Sequence, residues 1–541
     1  MSIDKSAKYD RQLRLWASTG QSNLENSHIC LINATSTGSE ILKNLILPGI
    51  GQFTIIDEKK VTKQDLSSNF FLKNQDLNED LAVAIQKNLN ELNNDVNGHA
   101  IVESLSTILA QESNLFWDQF NVVIVSDYTP NLEPLINLLW SKQIPLFIVN
   151  TIGFYGSLNI IANETTVIET HDPSKLYDLR IDHPWPELQE FADSFDLDKL
   201  NDVEHAHVPY IVIFIKALDH WRSQHDGQVP ITYADKKKFR LYVKSLSRNF
   251  ELETNFIDAD NAHLRPHQKT EIPESIIQLI SISETKKLDD STTSIFWIFI
   301  AALKNFLNLN DQLLPLPGTL PDMASDTENY VRLQQIYRDR ALKDQKLFTE
   351  QVYQILDSLG RSRDEVNQES IASFCKNARL LFATVGSKDL INDKLVNQYN
   401  YNPTTAISSG GGSGSSSGSS GGGSITILDD EEKHKLGIYF GLLTFNLFID
   451  KYHYKPTIND FNKFLKIYHD EISPKFKLNE NGEKIFKEIL THNTTNYHNL
   501  NSLMGGIVSQ EVLKSTTAQY IPLDNLFVFD GIHSKSEKFK I

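Results

Sequence analysis

The residues from Cys30 to Asp57, CLINATSTGSEILKNLILPGIGQFTIID, are laid out like a phosphate cradle. A dinucleotide site of the G-x-G-x-x-G type needs an apolar strand, a tight turn, a helix and a second strand ending in an acid. Its first glycine permits the turn, its second lets the backbone approach phosphate, and its third lets the helix pack on the strand. Those three positions here hold Asn33, Thr35 and Gly38. Only the packing glycine is kept. β-Branched Thr35 obstructs a phosphate seeking the backbone, so the stretch predicts the fold of a nucleotide site without its ligand. Asp57 stands where an acid meets a ribose, and equally where an ordinary strand ends.

Other reactive residue types are sparse. The two cysteines, Cys30 and Cys375, exclude a disulfide framework and any zinc site built on paired cysteines. Cys30 sits in a strand-like run and reads as a small buried hydrophobe. Cys375, in ESIASFCKNARLL, has a lysine beside it but no nucleophile motif. Glu204–His207 reads EHAH, whose histidines diverge on a helix. His263 and His267 have helical spacing but lack the H-E-x-x-H pattern. No metal site is expected, and no catalytic residue is assigned in this chain.

The elements that must position the cradle follow from the pattern. HICLIN, FTIID, NVVIVS and PLFIVN are short apolar runs separated by SEILKNLIL, EDLAVAIQKNLNEL and LEPLINLLW. Continuous apolar strands alternating with helices predict a doubly wound α/β sheet of the Rossmann type over residues 1–170. From 171 to 495 the periodicity is mainly helical. PYIVIFIKALDHW and SIFWIFIAALKNFL are apolar almost all round, as buried helices are. S-D-T-E at Ser325 predicts a capping box, and Gly360 a terminator, for one long helix. Residues 408–424 contain only serine and glycine and predict a flexible tether. Residues 496–541 regain α/β character, so the helical middle is expected as an insertion into the α/β domain.

The chain has 541 residues, enough for two to four domains. A net charge of −17 argues against broad binding to a nucleic-acid backbone. No apolar run reaches a membrane span, and MSIDKSAKYDRQLRLW lacks the apolar core of a signal peptide. A soluble, reducing compartment, cytoplasmic or nuclear, is expected.

KYDRQLRLW at Lys8–Trp16, the degenerate cradle, and SSNFFL at Ser67–Leu72 resemble the activating enzymes of ubiquitin-like proteins. More narrowly, the chain resembles the regulatory subunits of the heterodimeric neddylation-activating enzyme, through NTIGFYGSLNIIA, HVPYIVIFIKAL, PGTLPDMASDTENYVRLQQIYRDRALKD and GGIVSQEVLK. The likeness covers nearly everything outside the Ser/Gly tract. It implies a pseudo-adenylation domain with a helical insertion in place of a catalytic-cysteine domain. It also implies a catalytic partner subunit that holds ATP and magnesium, adenylates a ubiquitin-like modifier and forms a thioester. Against the active pattern, Lys59 replaces an acid, Ser68 a phosphate-binding arginine and Leu81 a lysine. Asp127 is kept without its downstream arginine. By the same resemblance Arg11 reaches ATP phosphates of the partner in trans, and no cofactor is held by this chain. No C-terminal ubiquitin-fold domain is expected after NLFVFDG. Two alternatives share the fold: the regulatory half of the sumoylation-activating enzyme, which is normally much shorter, and a self-sufficient adenylating or nucleotide-binding enzyme.

Overall fold

The computed structural model describes residues 5–111, 114–171, 177–286, 288, 293–400, 428–474, 478–495 and 497–541. The Ser/Gly tract at 408–424 lies outside them. The chain forms two compact units, one of residues 1–165 with 384–541 and one of residues 166–383.

The strands of the first unit are β1 (His28–Ile32), β2 (Gln52–Ile56), β3 (Asn97–Ile101), β4 (Val122–Ser126), β5 (Leu146–Ile152) and β6 (Tyr155–Ile161). After two short strands where the chain passes between units, β7 (Glu164–Val167) and β8 (Phe382–Val385), come β9 (Leu526–Asp530) and β10 (Lys535–Phe539). Eight of these form one sheet in the order β10-β9-β6-β5-β4-β1-β2-β3. The five strands from β3 to β5 are parallel, and β6, β9 and β10 join antiparallel. Every residue of β1 is buried, as a strand covered on both faces must be. Ile29 and Leu31 share one core with the helices Ser36–Ile46, Leu81–Asn90 and His498–Thr517. Cys30 and Ile32 face a second core with Leu135 and Leu139 of the helix Leu132–Ser141. The sheet is doubly wound, and the strand order reverses direction between β1 and β4, where such sheets leave a crevice at their C-terminal ends.

The helical middle divides differently from its sequence pattern. Periodicity joins 171–495 into one insertion, whereas the helices Asp430–Tyr452 and Glu480–Thr491 pack with β9, β10 and Tyr155 in the first unit. A helix that is apolar all round announces burial but not what buries it. The C-terminal residues complete the sheet through β9 and β10, together with the helix His498–Thr517.

The second unit is mainly helical. Tyr210–Gln224 and Ile295–Leu309 are buried along most of their lengths in two separate clusters. The long helix spans Thr327–Ser358, and its cap is Asp326, one residue after the serine that the capping pattern singles out. The Asp326 side chain accepts from the Asn329 amide at 2.8 Å, while Ser325 Oγ is buried without a partner. Gly360 takes a left-handed φ of 64° just beyond the helix end, where glycine costs least.

Candidate functional site

The crevice at the C-terminal ends of β1, β2, β4 and β5 is a cleft of about 750 Å³, lined by Asn33, Thr35, Asp57, Lys59, Ser68, Asp127, Thr151 and Lys455 among others. Its floor is the broken cradle, and each substituted residue has a defined new task. Asn33 keeps the left-handed turn that the first glycine would make, at φ 67°, a conformation asparagine tolerates better than most residues. Its amide donates to the carbonyls of Ser126 and Tyr128, both at 3.1 Å, fastening β1 to the end of β4. Thr35 is the N-cap of Ser36–Ile46; its hydroxyl accepts from the Gly38 amide at 3.1 Å and meets Ser126 Oγ. An anion at this helix N-terminus would find that amide already used. Gly38 has the packing role expected from sequence: a Cβ there would lie 3.0 Å from both Leu31 methyls and 3.1 Å from the Asn33 carbonyl.

Two of the three acids lining the cleft, Asp57 and Asp127, are turned inward, and the third, Asp65, is held by the Thr62 amide and hydroxyl at 2.8 and 2.6 Å. Asp57 is 4% exposed. Its carboxylate accepts from the Ala34 amide and from the Lys59 amide, each at 2.9 Å. The Ala34 loop amide is thereby occupied by the protein's own acid. Asp127, at φ 63°, accepts from the amide and hydroxyl of Thr151 at 2.9 and 3.2 Å. Burial pushes its carboxyl above the usual range, against the lowering effect of those bonds and of Lys455 and Lys59. Ser68 Oγ accepts from Ser36 Oγ and donates to the Gln64 carbonyl, both at 3.2 Å. Leu81 is 4% exposed and belongs to the core. Magnesium triphosphate requires oxygen ligands for the metal and several free donors for phosphate. Lys59, Lys60 and Lys455 line the cleft, Lys60 paired with Asp80 at 2.7 Å, but its acids and its cap amide are spent within the protein, so this residue set does not fit that group.

Arg11 is held elsewhere on the first unit, in the helix Asp10–Glu25. That helix is anchored by Tyr9 and Trp16, both buried. The Tyr9 hydroxyl accepts from Asn93 at 3.0 Å and donates to Asp95 at 3.2 Å. The Trp16 indole donates to Gln21 at 3.1 Å, and Gln519 donates to the Trp16 carbonyl at 3.0 Å. Arg11 and Leu15, one turn apart, are exposed, Leu15 by 52%. Arg14 is held by Asp10 at 3.0 Å.

The thiols are closed off. Cys30 and Cys375 are 0% and 4% exposed, and burial pushes both well above the usual thiol range. His205 is buried against Glu253, while His207 is exposed and contacts the Val203 carbonyl. His267 sits half-buried, with its pKa lowered to about 4 by burial. Neither histidine pair of the sequence belongs to a metal-ligand cluster among the described residues. The contacts of Ser126 with Thr35 and of Thr151 with Asp127, and the approach of His434 to Asp530 and His533, carry no sequence signal, because those partners lie far apart in the chain.

Residues 9–541 match the ThiF family. The chain is 34% identical over 546 residues to the NEDD8-activating enzyme E1 regulatory subunit of Xenopus laevis, covering 99% of both chains. It is 32% identical to the regulatory subunit AXR1 of Arabidopsis thaliana, covering 100% of this chain and 97% of that protein. The chain belongs to the NEDD8-activating enzyme E1 regulatory subunits. The corresponding Saccharomyces cerevisiae subunit is 28% identical across 99% of this chain. The altered cradle lies within the matched residues. Among the described residues no helix is long and apolar enough to cross a membrane.

Proposed function

We propose that this chain is the non-catalytic half of a two-chain NEDD8-activating enzyme. A catalytic subunit holds ATP and magnesium, adenylates the modifier's C-terminal glycine and forms the thioester. This chain braces that partner through its own pseudo-adenylation domain, and its helical unit stands in for a catalytic-cysteine domain without the nucleophile. The observation that carries the reading is the cradle: Thr35 caps its own helix and Asp57 closes on the loop amide, so charge building on phosphorus finds no free fork of donors here. Arg11 supplies such a fork in trans. A guanidinium is always charged and planar, and a solvent-facing arginine on a firmly anchored helix suits a site completed only by assembly.

The test is ATP–pyrophosphate exchange by the catalytic subunit mixed with wild-type chain or with Arg11→Ala, alongside size-exclusion analysis of the pair. The variant is expected to assemble normally and to lower exchange by about a thousandfold or more, the range for an arginine that stabilises phosphoryl charge in trans. Unchanged exchange in an intact pair would remove Arg11 from the chemistry and leave a scaffold.

A further inference from the structure

The C-terminal hairpin carries a cluster unrelated to the cleft. Asp530 ends β9 and is fully buried, and His533 lies in the turn leading to β10. His434 approaches from the helix Asp430–Tyr452. Asp530 Oδ1 accepts the amides of Ile532 and His533 at 3.0 and 3.3 Å, which fixes the carboxylate plane. Its Oδ2 lies 3.1 Å from His434 Nε2 and 2.7 Å from His533 Nδ1. One ligand atom from each residue falls within 4.8 Å of the others, the one group of this kind among the described residues. Asn481 Nδ2 sits 3.0 Å from His434 Nδ1, on the far side of that ring. The neighbouring cations Lys435 and Lys535 are both paired with Glu431.

We propose that His434, Asp530 and His533 bind a zinc ion that pins the helix Asp430–Tyr452 to the C-terminal hairpin. Two imidazoles and one carboxylate are a zinc donor set, and three protein ligands leave a fourth position for water. The His533 side chain is 59% exposed, so that position opens to solvent. With ligands at 2.0–2.2 Å from the metal, a tetrahedral site sets donor atoms about 3.4 Å apart. The 2.7 and 3.1 Å spacings from Asp530 Oδ2 therefore need to open by less than an ångström, while the two histidine nitrogens, within 4.8 Å of each other, settle at the same separation. A small swing of exposed His533 supplies most of that. The protons balance without loss. In the ion-free form both imidazoles donate to Asp530 Oδ2. On binding, those nitrogens give their lone pairs to zinc, and each neutral ring carries its proton on the other nitrogen. For His533 that nitrogen is Nε2. For His434 it is Nδ1, which then donates to the Asn481 amide oxygen after the amide rotates, as outer-shell partners of metal-bound imidazoles do.

The test is calorimetric titration of zinc chloride into full-length chain stripped by chelator, with cobalt substitution as the spectroscopic readout. One site with the intense visible bands of tetrahedral cobalt is expected. His533→Ala, at an exposed turn that should fold normally, should weaken binding by at least about a hundredfold, since it removes a ligand rather than an outer-shell partner. His533→Cys should restore binding, because thiolate also serves zinc, and Asn481→Leu should cost about tenfold. Two results overturn the proposal: no binding at micromolar zinc, or binding that His533→Ala leaves unchanged, which would assign the ion to others of the 16 histidines.

Discussion

Replacing Asp57 with alanine separates a structural acid from a ribose ligand. The carboxylate receives two backbone amides, Ala34 and Lys59, each at 2.9 Å, from a position 4% exposed. Hydrogen bonds to a charged group contribute about 1.5–3 kcal/mol each, so removing both strips about 3–6 kcal/mol gross. The adjoining cleft of about 750 Å³ lets water reach part of the vacated space, and a bridging water is nearly as good as a direct bond. The net loss should therefore be about 2–4 kcal/mol. Urea denaturation followed by far-ultraviolet circular dichroism, with tryptophan fluorescence as a second probe of a two-unit chain, measures it. The change should appear in the transition of the unit containing the sheet. ATP binding should show no corresponding loss. A stability change below about 0.5 kcal/mol, or tight ATP binding that the substitution abolishes, would refute the reasoning and favour a self-sufficient nucleotide enzyme.

Three further outcomes follow from the same contacts. Gly38→Ala places a methyl 3.0 Å from the Leu31 side chain and 3.1 Å from a carbonyl, so it should destabilise the sheet unit by about 1–3 kcal/mol in urea. Arg11→Ala alters an exposed side chain and should shift the chain's own stability by no more than about 0.5 kcal/mol in the same assay. His28, buried beside Thr54 and Phe120, has its pKa lowered from 6.5 to about 4, first by burial and then by His99. The unfolded chain takes up a proton below about pH 6.5 while the folded chain does not until about pH 4. Wild-type stability should thus fall relative to His28→Gln as pH drops through that window and run parallel above it, as paired urea midpoints would show.

Much of the cleft is legible in the sequence. Strands covered on both faces must be apolar at every position, so HICLIN and its companions announced a doubly wound sheet. The loss of two cradle glycines was equally plain. What those losses became was not. A threonine in place of glycine says that phosphate is obstructed; that its hydroxyl caps the helix beneath depends on a torsion no pattern encodes. Asp57 reads as ribose ligand or strand end, and the direction of its carboxylate, onto the Ala34 and Lys59 amides, gives it a structural task. The helix Asp430–Tyr452 was visible as a helix, yet its packing with β9 and β10 rests on contacts across many residues. The cluster of His434, Asp530 and His533 is drawn from two distant segments, and no short motif marks it.

In the function proposed for this chain, a nucleotide fold becomes architecture by spending its anion-binding groups internally. ATP–pyrophosphate exchange by the purified chain alone, in the presence of the ubiquitin-like modifier and magnesium, tests it most directly. No exchange above the protein-free background is the expected result. Exchange by the isolated chain, sensitive to Asp57→Ala, would contradict it.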